Sequence, residues 1–554
     1  MFAPLSRRKF IKTALSTIAA TSCFSHALNA KMLTQYYEQF NATRKPSKRE
    51  PPQKGKRFSV KDFGATGNGL SLDTGAIQAT IQAVVDSGES GVVWFPAGIY
   101  YSGTLHLSSN ISLELDKDAV LLGSTDIRHY ETDDGKVHAL IEAHDCDNIG
   151  IFGQGTINAQ GRKLALNINR LHHAKERIEE DFNARRNRSR HRPNVIAMHS
   201  CNQIKIYDIT VQNGASWVQH YAACRDLHID NIVVQSDAFW NNDGIDINDC
   251  EHVRITGCFV NAADDAICLK STTKKNMRNN DIFIGNCTLR SSSNGIKFGT
   301  ESQNGFHNVK IEDIVVFDTY RSAIALETVD GAILENVSVK NVDAKNVGCA
   351  IFIRLGQRNR DVPKDTPLGK IRNVVISNVN AEISFDRADI DYDLRGPGLN
   401  AFFNPIPASI TGLPDAFVEN VILENITISY PGRANKGLAY RPHDQLFLVP
   451  QVRDAYPEYT MFGELPSWGL FVRHVKGITL KDISLKTRAY DFRPAMVFDD
   501  VNGVNLSNVA LHADNDIHLV LHNAKEVKTN HLLALDKSQQ LVPLSSSSVL
   551  YSND

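Results

Sequence analysis

Two acidic clusters lie close together near the middle of the chain. The stretch NNDGID covers residues 241–246 and ADDA covers residues 263–266, which places Asp243, Asp264 and Asp265 within two dozen residues. Carboxyl groups that pack together repel one another, so the pKa of at least one rises and a proton stays available for donation. The clusters therefore predict general acid–base chemistry, or else they are solvated acids that cap turns.

A short apolar phrase returns along the chain and would position these acids. Its central apolar residue is Ile206, Ile229, Ile255, Ile284, Ile311 and Leu334, with later copies at Ile376, Leu423, Leu480 and Leu506. The first six copies are 23, 26, 29, 27 and 23 residues apart, a period typical of a solenoid. The leucine-rich frame is absent. The sequence thus predicts an all-β chain folded as a single right-handed parallel β-helix of ten or more coils.

The solenoid explains why the two acidic clusters would meet. Equivalent residues of adjacent coils stack about 4.8 Å apart. Asp243 and Asp264 are 21 residues apart, nearly one coil. We therefore expect the clusters to lie side by side on one face.

The ordered catalytic domain is predicted to span residues 58–535. Asp73 offers a helix N-cap, and Ile77, Ile81, Val84 and Val85 form one apolar face of a short N-terminal capping helix. Residues 31–57 are polar and proline-containing, which predicts a linker, and residues 536–554 are expected to be a C-terminal tail.

Residues 1–30 are typical of an export signal. Arg7 and Arg8 precede a short apolar run and a small-residue stretch, a pattern similar to a twin-arginine signal. A disordered basic start is the alternative, and Cys23 is a poor match to a lipoprotein site. No other segment is apolar for the roughly 20 residues that a membrane span needs. The protein is therefore expected to be exported, to the periplasm or the medium.

Composition argues against several classes of partner and cofactor. The net charge of -2 lacks the basic excess of a nucleic-acid-binding protein. Eight cysteines follow Cys23, without a C-x-x-C pair, so neither a zinc site nor any other cofactor is expected. Cys201, Cys224 and Cys250 precede successive strand patterns, which favours stacked buried thiols over disulfides.

Several motifs together resemble glycoside hydrolase family 28, the polygalacturonase family. They are FGA at residues 63–65, PAGIY at 96–100, NNDGID at 241–246 and DDAICLK at 264–270, in the order and spacing of that family. The resemblance covers about residues 58–510 and implies a pectin lyase-like solenoid that acts on a pectin-like polysaccharide without a metal. By position it makes Asp264 the general acid, with Asp243 and Asp265 activating the attacking water. Such hydrolysis inverts the anomeric centre and needs carboxyl groups about 6.5–9.5 Å apart.

Two departures from the family pattern concern the substrate. Asn294 stands where the family has the histidine of G-H-G, and an amide carries no proton at neutral pH. The family's R-I-K aligns with Ala325-Leu326-Glu327, and Glu327 is expected to repel a galacturonate placed there. The pattern favours a neutral or differently substituted sugar, such as rhamnogalacturonan or another plant or algal polysaccharide.

Further residues are candidates for substrate binding. The predicted set is Asn241, Lys270, Asn294, Lys297, Arg321, Glu327, Arg354, Arg473 and His474. Arg473 and His474 follow a loop from Tyr459 that is expected to fold over the groove. The arginine-rich segment 172–192, helix-compatible, is a solvated loop or a basic wall that attracts a polyanion. Trp217 and Trp240 stack on sugars or pack in the core, whereas Arg358 and Arg360 are expected at the surface.

Two other classes of function stay open on the sequence. A Ca²⁺-dependent polysaccharide lyase would use the clustered aspartates as metal ligands. A non-catalytic carbohydrate-binding β-helix would use the same fold without the chemistry. The sugar, the linkage, internal or terminal cutting and the oligomeric state are not determined by the sequence.

Overall fold

The computed structural model describes most of the chain. The described residues are 31–44, 55–132, 135–237, 239–389, 392, 406–432, 434, 441–513, 516–536, 538 and 540–553. The predicted export signal, residues 1–30, lies outside them. Within them the helices are α1 (residues 31–43), α2 (Thr74–Asp86) and α3 (Gly161–His173), with 3-10 turns at Val60–Phe63, Ile127–Tyr130, Leu446–Leu448 and Ser546–Ser548.

Strands make up most of the described residues. Those before residue 237 are β1 (Lys56–Ser59), β2 (Asn68–Leu72), β3 (Gly91–Phe95), β4 (Gly98–Ser102), β5 (Leu105–His106), β6 (Ile111–Leu115), β7 (Ala119–Gly123), β8 (Ile141–His144), β9 (Asp147–Gly153), β10 (Thr156–Asn158), β11 (Ile196–His199), β12 (Asn202–Tyr207), β13 (Thr210–Gln212), β14 (Gln219–Ala222), β15 (Arg225–Asp230) and β16 (Val233–Ser236). Those that follow are β17 (Ile245–Asn248), β18 (Glu251–Thr256), β19 (Phe259–Ala262), β20 (Ile267–Ser271), β21 (Asn279–Ser291), β22 (Ile296–Ser302), β23 (Phe306–Thr328), β24 (Ile333–Leu355), β25 (Lys370–Ile383), β26 (Ala408–Thr411), β27 (Val418–Tyr430), β28 (Leu470–Thr487), β29 (Met496–His512), β30 (Leu519–His522), β31 (Lys525–Leu535), β32 (Leu541–Pro543) and β33 (Val549–Ser552).

The strands stack in parallel, coil upon coil, into a right-handed β-helix, as predicted. One stack, here called sheet A, runs β5–β8–β11–β14–β17–β20–β22 and continues through the ends of β23 and β24 to β26. Long strands such as β23 bend from one stack into the next. Apolar side chains of successive coils fill the interior in rows, which gives the chain one continuous core.

The register of the coils confirms the predicted repeat, with one correction. Ile206, Ile229, Ile255, Ile284 and Ile311 are partners in adjacent strands. The next partner is Val339 rather than Leu334, because Leu334 pairs with Phe306. The segment that contains Leu334 and Val339 alternates apolar and polar residues, so either residue fits the central apolar position of the repeat. From Val339 the row continues through Ile376, Leu423, Leu480 and Leu506, as predicted.

Asparagine residues form the corners between the stacks. Asn308, Asn336, Asn373 and Asn420 all have positive φ angles, a conformation that asparagine tolerates better than most residues. The side-chain amides of Asn336, Asn373 and Asn420 each donate to the Oδ1 of the asparagine one coil before, at 3.1–3.3 Å. The ladder fixes where each coil turns, and therefore where each strand begins.

Helix α2 caps the N-terminal end of the core. Ile77, Ile81 and Val84 are buried, as predicted, whereas Val85 is exposed because the helix turns it away from the strands. The Asp73 side chain makes no capping hydrogen bond to the helix. Its carboxylate instead accepts hydrogen bonds from the backbone N–H groups of Thr66 and Gly67, which closes the preceding loop.

The linker predicted for residues 31–57 is wrong for its first part, which forms helix α1. Five apolar residues of α1, namely Met32, Leu33, Tyr36, Tyr37 and Phe40, pack on Val233, Phe259 and Phe317 outside the solenoid. The ring of Tyr36 stacks on that of Phe317 with centroids 4.3 Å apart. An apolar face at helical spacing therefore docks on the solenoid despite the polar composition around it.

The predicted C-terminal tail also continues the fold. Strand β32 pairs antiparallel with β31, and β33 pairs in parallel with β30. The eight cysteines of the described residues are buried free thiols, as predicted. Among the helices of this part of the chain, none combines the length and the apolar character of a membrane span.

Candidate active site

Successive coils stack the second acidic cluster directly on the first. One column consists of the residues that stand two positions before the aligned strand residues of sheet A. These are Trp217, Asp243, Asp265, Asn294 and Ser322. The partner of Asp243 in the column is thus Asp265. Asp264 lies in the neighbouring column, and its N–H points to the carbonyl of Asn242 at 3.4 Å. Coils about 4.8 Å apart bring these carboxyl groups together.

A buried lysine holds the first acidic cluster. Lys270 Nζ lies 3.3 Å from Asp243 Oδ2, 3.3 Å from Asp246 Oδ1 and 3.3 Å from Cys268 Sγ. It also lies 4.7 Å from the ring centre of Trp217, a cation–π contact. Asp246 is fully buried beside this ammonium.

Asp265 is fixed by the asparagine that replaces the family's histidine. The backbone N–H and the side-chain amide of Asn294 donate to Asp265 Oδ1 at 3.1 and 2.7 Å. Burial opposes ionisation here, but Lys297, Lys270 and the Asn294 amide hold the pKa of Asp265 below its usual value. Asp265 is therefore an ionised carboxylate.

The pKa values of the other two acids, Asp264 and Asp243, are raised instead. Burial and the charge of Asp265 raise the pKa of Asp264. Burial, with the charges of Asp246 and Asp264, raises the pKa of Asp243 well above its usual range. Asp243 Oδ1 is buried and has no hydrogen-bond partner among the described residues. The group as a whole keeps at least one proton beside an ionised carboxylate, the condition for paired acid and base catalysis.

Asn241, predicted to bind substrate, lies between the acids and the arginine-rich segment. Its side-chain amide is 3.5 Å from Asp264 Oδ2, and its Oδ1 accepts from Arg192 at 3.1 Å. Arg192 is buried and also donates to backbone carbonyls, including that of Trp240. Burial lowers the pKa of Arg188, and the nearby Asp264 carboxylate partly offsets this. The segment after α3 forms turns rather than more helix.

A cluster of cations surrounds the half-exposed ring of Tyr456. Lys297 Nζ, Arg321 Cζ and Arg358 Cζ lie 5.8, 5.7 and 5.2 Å from its centre. Arg321 also pairs with Glu458 at 3.2 Å, and its charge acts on Asp264 and Asp265. Arg358 was expected at the surface, but its Nη1 is buried because the loop that carries Tyr456 covers it. We call these three cations with Tyr456 the cationic platform.

Glu327 does not present a free negative charge, contrary to the expectation of repulsion. Its Oε1 lies 2.5 Å from Lys297 Nζ, and both side chains are buried. Glu327 aligns with the last position of the family's R-I-K motif, but its negative charge is neutralised by Lys297 one coil earlier. Burial raises the pKa of Glu327 to about 7, against the opposing effect of Lys297.

Arg354, Arg473 and His474 hold the late loop in place. Arg354 donates to the carbonyls of Gly412, Gln451 and Val452, and Arg473 donates to that of Val449. The two nitrogens of His474 meet Asp500 and Gln451. Among the described residues, none of the three has a hydrogen bond or ion pair with the acidic clusters. They position the loop that brings Tyr456 to the site, rather than lining the site.

The acids do not form a vacant calcium site. Asp243, Asp265 and Cys268 present ligand atoms within 4.8 Å of one another. Calcium, however, takes six to eight oxygen ligands, and the ammonium of Lys270 already lies 3.3 Å from both Asp243 and Cys268. This arrangement disfavours the calcium-dependent lyase.

Solved structures share this fold. A hyperthermoactive exopolygalacturonase from Thermotoga maritima matches with a TM-score of 0.53 and 20% identity, over 69% of this chain and 88% of its own. The family 28 exopolygalacturonase of Yersinia enterocolitica matches with a TM-score of 0.55 and 17% identity, over 86% of this chain and 78% of its own. These likenesses show the fold, a right-handed parallel β-helix.

Sequence comparison gives the family. A probable polygalacturonase of Vitis vinifera is 25% identical over 68% of this chain and 75% of its own length, and an exopolygalacturonase of Zea mays is 24% identical over 59% and 85%. The model of glycosyl hydrolases family 28 matches residues 90–392. The chain therefore belongs to glycosyl hydrolases family 28 and is a glycosidase.

Proposed function

We propose that the protein hydrolyses glycosidic bonds of a pectin-like polysaccharide with inversion at the anomeric carbon. The observation that carries the proposal is the column of Asp243 and Asp265 on adjacent coils, with Asp264 beside it. Inversion needs an acid and a base that leave room for a water between them, typically at a separation of about 6.5–9.5 Å between the carboxyl groups.

The three aspartates divide the work by their surroundings. Asp264, with its raised pKa, donates the proton to the leaving oxygen. Asp265, held ionised by Lys297 and Lys270, accepts the proton of the water. Asp243 offers its unpartnered Oδ1 to orient that water. The positive charge of Lys270 offsets part of the negative charge of the acids.

The cationic platform supports a uronate as one of the sugars bound. Arg321 and Arg358 are free of the Lys297–Glu327 pair and flank an aromatic ring, which suits a sugar that carries a carboxylate. The polygalacturonase names of the relatives are consistent with this. A chain that alternates galacturonate with rhamnose is the second candidate, because Glu327 engages Lys297 and leaves room for a neutral neighbour.

Export forms part of the same proposal. The basic start and the short apolar run of residues 1–30 support a twin-arginine route to the periplasm. Amino-terminal sequencing of the protein from the cell envelope tests it, and a mature chain that retains residues 1–30 contradicts it.

Product analysis tests the proposed reaction. Wild-type protein is incubated with polygalacturonan, with rhamnogalacturonan and with a sulfated algal polysaccharide. We expect new reducing ends from one of the two pectin-like polymers, and proton NMR should show the anomer opposite to that of the bond cut. Products with a UV-absorbing unsaturated end would indicate a lyase. Release of the retained anomer would contradict inversion, and no release from any polymer would contradict the hydrolase.

A further inference from the structure

A cluster of histidines surrounds a glutamate on sheet A, away from the aspartates. Glu142 is the strand partner of His106 on one side and of Ala197 on the other. In the next coils, Ala197 is the partner of His220, and His220 is the partner of Asp246. Glu142 is therefore three coils from Asp246, about 14 Å at the inter-strand spacing. The proposed hydrolysis does not use this cluster.

Glu142 is buried and makes several close polar contacts. His138 Nδ1 lies 2.9 and 3.0 Å from its two oxygens, and the Ala139 N–H donates to Oε2 at 3.0 Å. His144 Nε2 also contacts Oε1. The carboxylate thus lies against two imidazole rings.

The geometry brings together the donor set of a transition metal. One ligand atom from each of His106, His138 and Glu142 lies within 4.8 Å of the other two. Ligands of a tetrahedral zinc ion at bonds of about 2.1 Å are about 3.4 Å apart. His106 is exposed, so its ring can rotate inward to close the difference while His138 and Glu142 stay in place.

His138 offers its Nδ1 as the second ligand atom. This nitrogen lies 2.9 and 3.0 Å from the two oxygens of Glu142, so an ion held by both residues would take the place of the proton that these atoms share. A neutral imidazole is the form that binds a metal.

The cluster is also accessible from solvent. Glu142, His138 and His144 line a pocket of about 960 Å³, together with His199 and Arg190. The pocket gives an ion a path of entry. It also leaves room for a water as a fourth ligand.

We propose that His106, His138 and Glu142 bind a divalent transition-metal ion of the zinc class. Imidazole nitrogen favours zinc, cobalt, nickel and copper over calcium and magnesium, which prefer oxygen. The sequence analysis predicted no metal because the cysteines lack the spacing of a zinc site. The ligands proposed here have no such spacing, because His106 ends β5, His138 lies in a loop and Glu142 lies in β8. The site concerns binding of the ion, so its failure leaves the proposed hydrolysis untouched.

Cobalt titration tests the site. Metal-free full-length protein is titrated with Co²⁺ and followed by visible d–d absorption, with Zn²⁺ as competitor. We expect one Co²⁺ per chain, displaced by Zn²⁺. His138→Ala and His106→Ala should each weaken binding by about 10- to 100-fold. His106→Ala changes an exposed residue, so it tests the site even where His138→Ala fails to fold.

Two control variants separate this site from other sources of binding. His191→Ala changes a histidine of the same pocket that contacts Glu179 rather than Glu142, and it should bind Co²⁺ as the wild type does. Asp265→Asn should also bind normally. No Co²⁺ absorption in the wild type would overturn the proposal. Loss of absorption in Asp265→Asn with retention in His106→Ala would overturn it too, because the ion would then lie among the aspartates.

Discussion

Lys270 shows how one residue sets the protonation of several others. Its ammonium contacts Asp243 and Asp246, and its charge lowers the pKa of Asp264 and Asp265 as well. Burial would otherwise favour the neutral form of every acid in the cluster. The pH range of the enzyme therefore depends on a residue that need not touch the substrate.

Replacing Lys270 should move the pH profile of kcat/KM. In Lys270→Met the pKa of Asp265 rises, so this carboxylate becomes ionised only at higher pH. We expect the acid limb to move upward by about one pH unit, which corresponds to about 1.4 kcal/mol. The basic limb, set by Asp264, should move in the same direction. Profiles of initial rate against pH measure both limbs.

Lys270→Arg is the matched control, since it keeps the charge. Its limbs should stay near those of the wild type. An unchanged profile in Lys270→Met would contradict the electrostatic role.

The late loop, residues 441–469, is the element that completes the site. Arg354 and Arg473 donate to its backbone carbonyls, and Glu458 pairs with Arg321. The loop thereby holds Tyr456 among three cations. The proposed substrate recognition thus depends on arginines that are themselves buried below the loop.

Arg354→Met should release the loop without removing the acids. Three carbonyls lose their donor, so Tyr456 is held less firmly. We expect KM to rise about ten-fold, equivalent to about 1.4 kcal/mol, with a smaller change in kcat. Limited proteolysis should show new cleavage within residues 441–469. Arg372→Met, which removes a half-exposed ion pair with Glu335, should change neither, and a protected loop in Arg354→Met would contradict the anchor.

The sequence predicted the elements better than it predicted their long-range contacts. The spacing of about one coil was enough to bring Asp243, Asp264 and Asp265 together, because stacking is periodic. Tyr456 and Arg358 were missed because they reach the cationic platform from irregular segments that carry no period. The aromatic-rich stretch of residues 456–462 was the signal available. Glu327 was misjudged because its partner Lys297 lies one coil away.

The outer face of the solenoid is apolar at one place, and this surface is covered by another part of the chain. Helix α1 covers Val233, Phe259 and Phe317. Each well-buried aromatic or aliphatic side chain is worth about 1.5–3 kcal/mol. Composition did not reveal this helix, because its apolar residues are spread among polar ones.

Deleting residues 31–44 should expose this patch. We expect the unfolding temperature to fall by a few degrees and the fluorescence of a hydrophobic dye to rise, while activity of unheated protein is kept. Differential scanning calorimetry and dye binding measure these effects. The exposed substitution Glu38→Gln within α1 is the control. An unchanged unfolding temperature on deletion would contradict a stabilising role for the helix.

The proposed hydrolysis depends most on the aspartate cluster, and the rate of reducing-end release by Asp264→Asn tests it most directly. On the polymer that the wild type cleaves, we expect the rate to fall by about 100- to 10,000-fold, because the amide cannot protonate the leaving oxygen. The unfolding temperature should stay close to that of the wild type, and Asp226→Asn at an exposed position of β15 should keep full activity. Full activity in a folded Asp264→Asn protein would contradict the proposed chemistry.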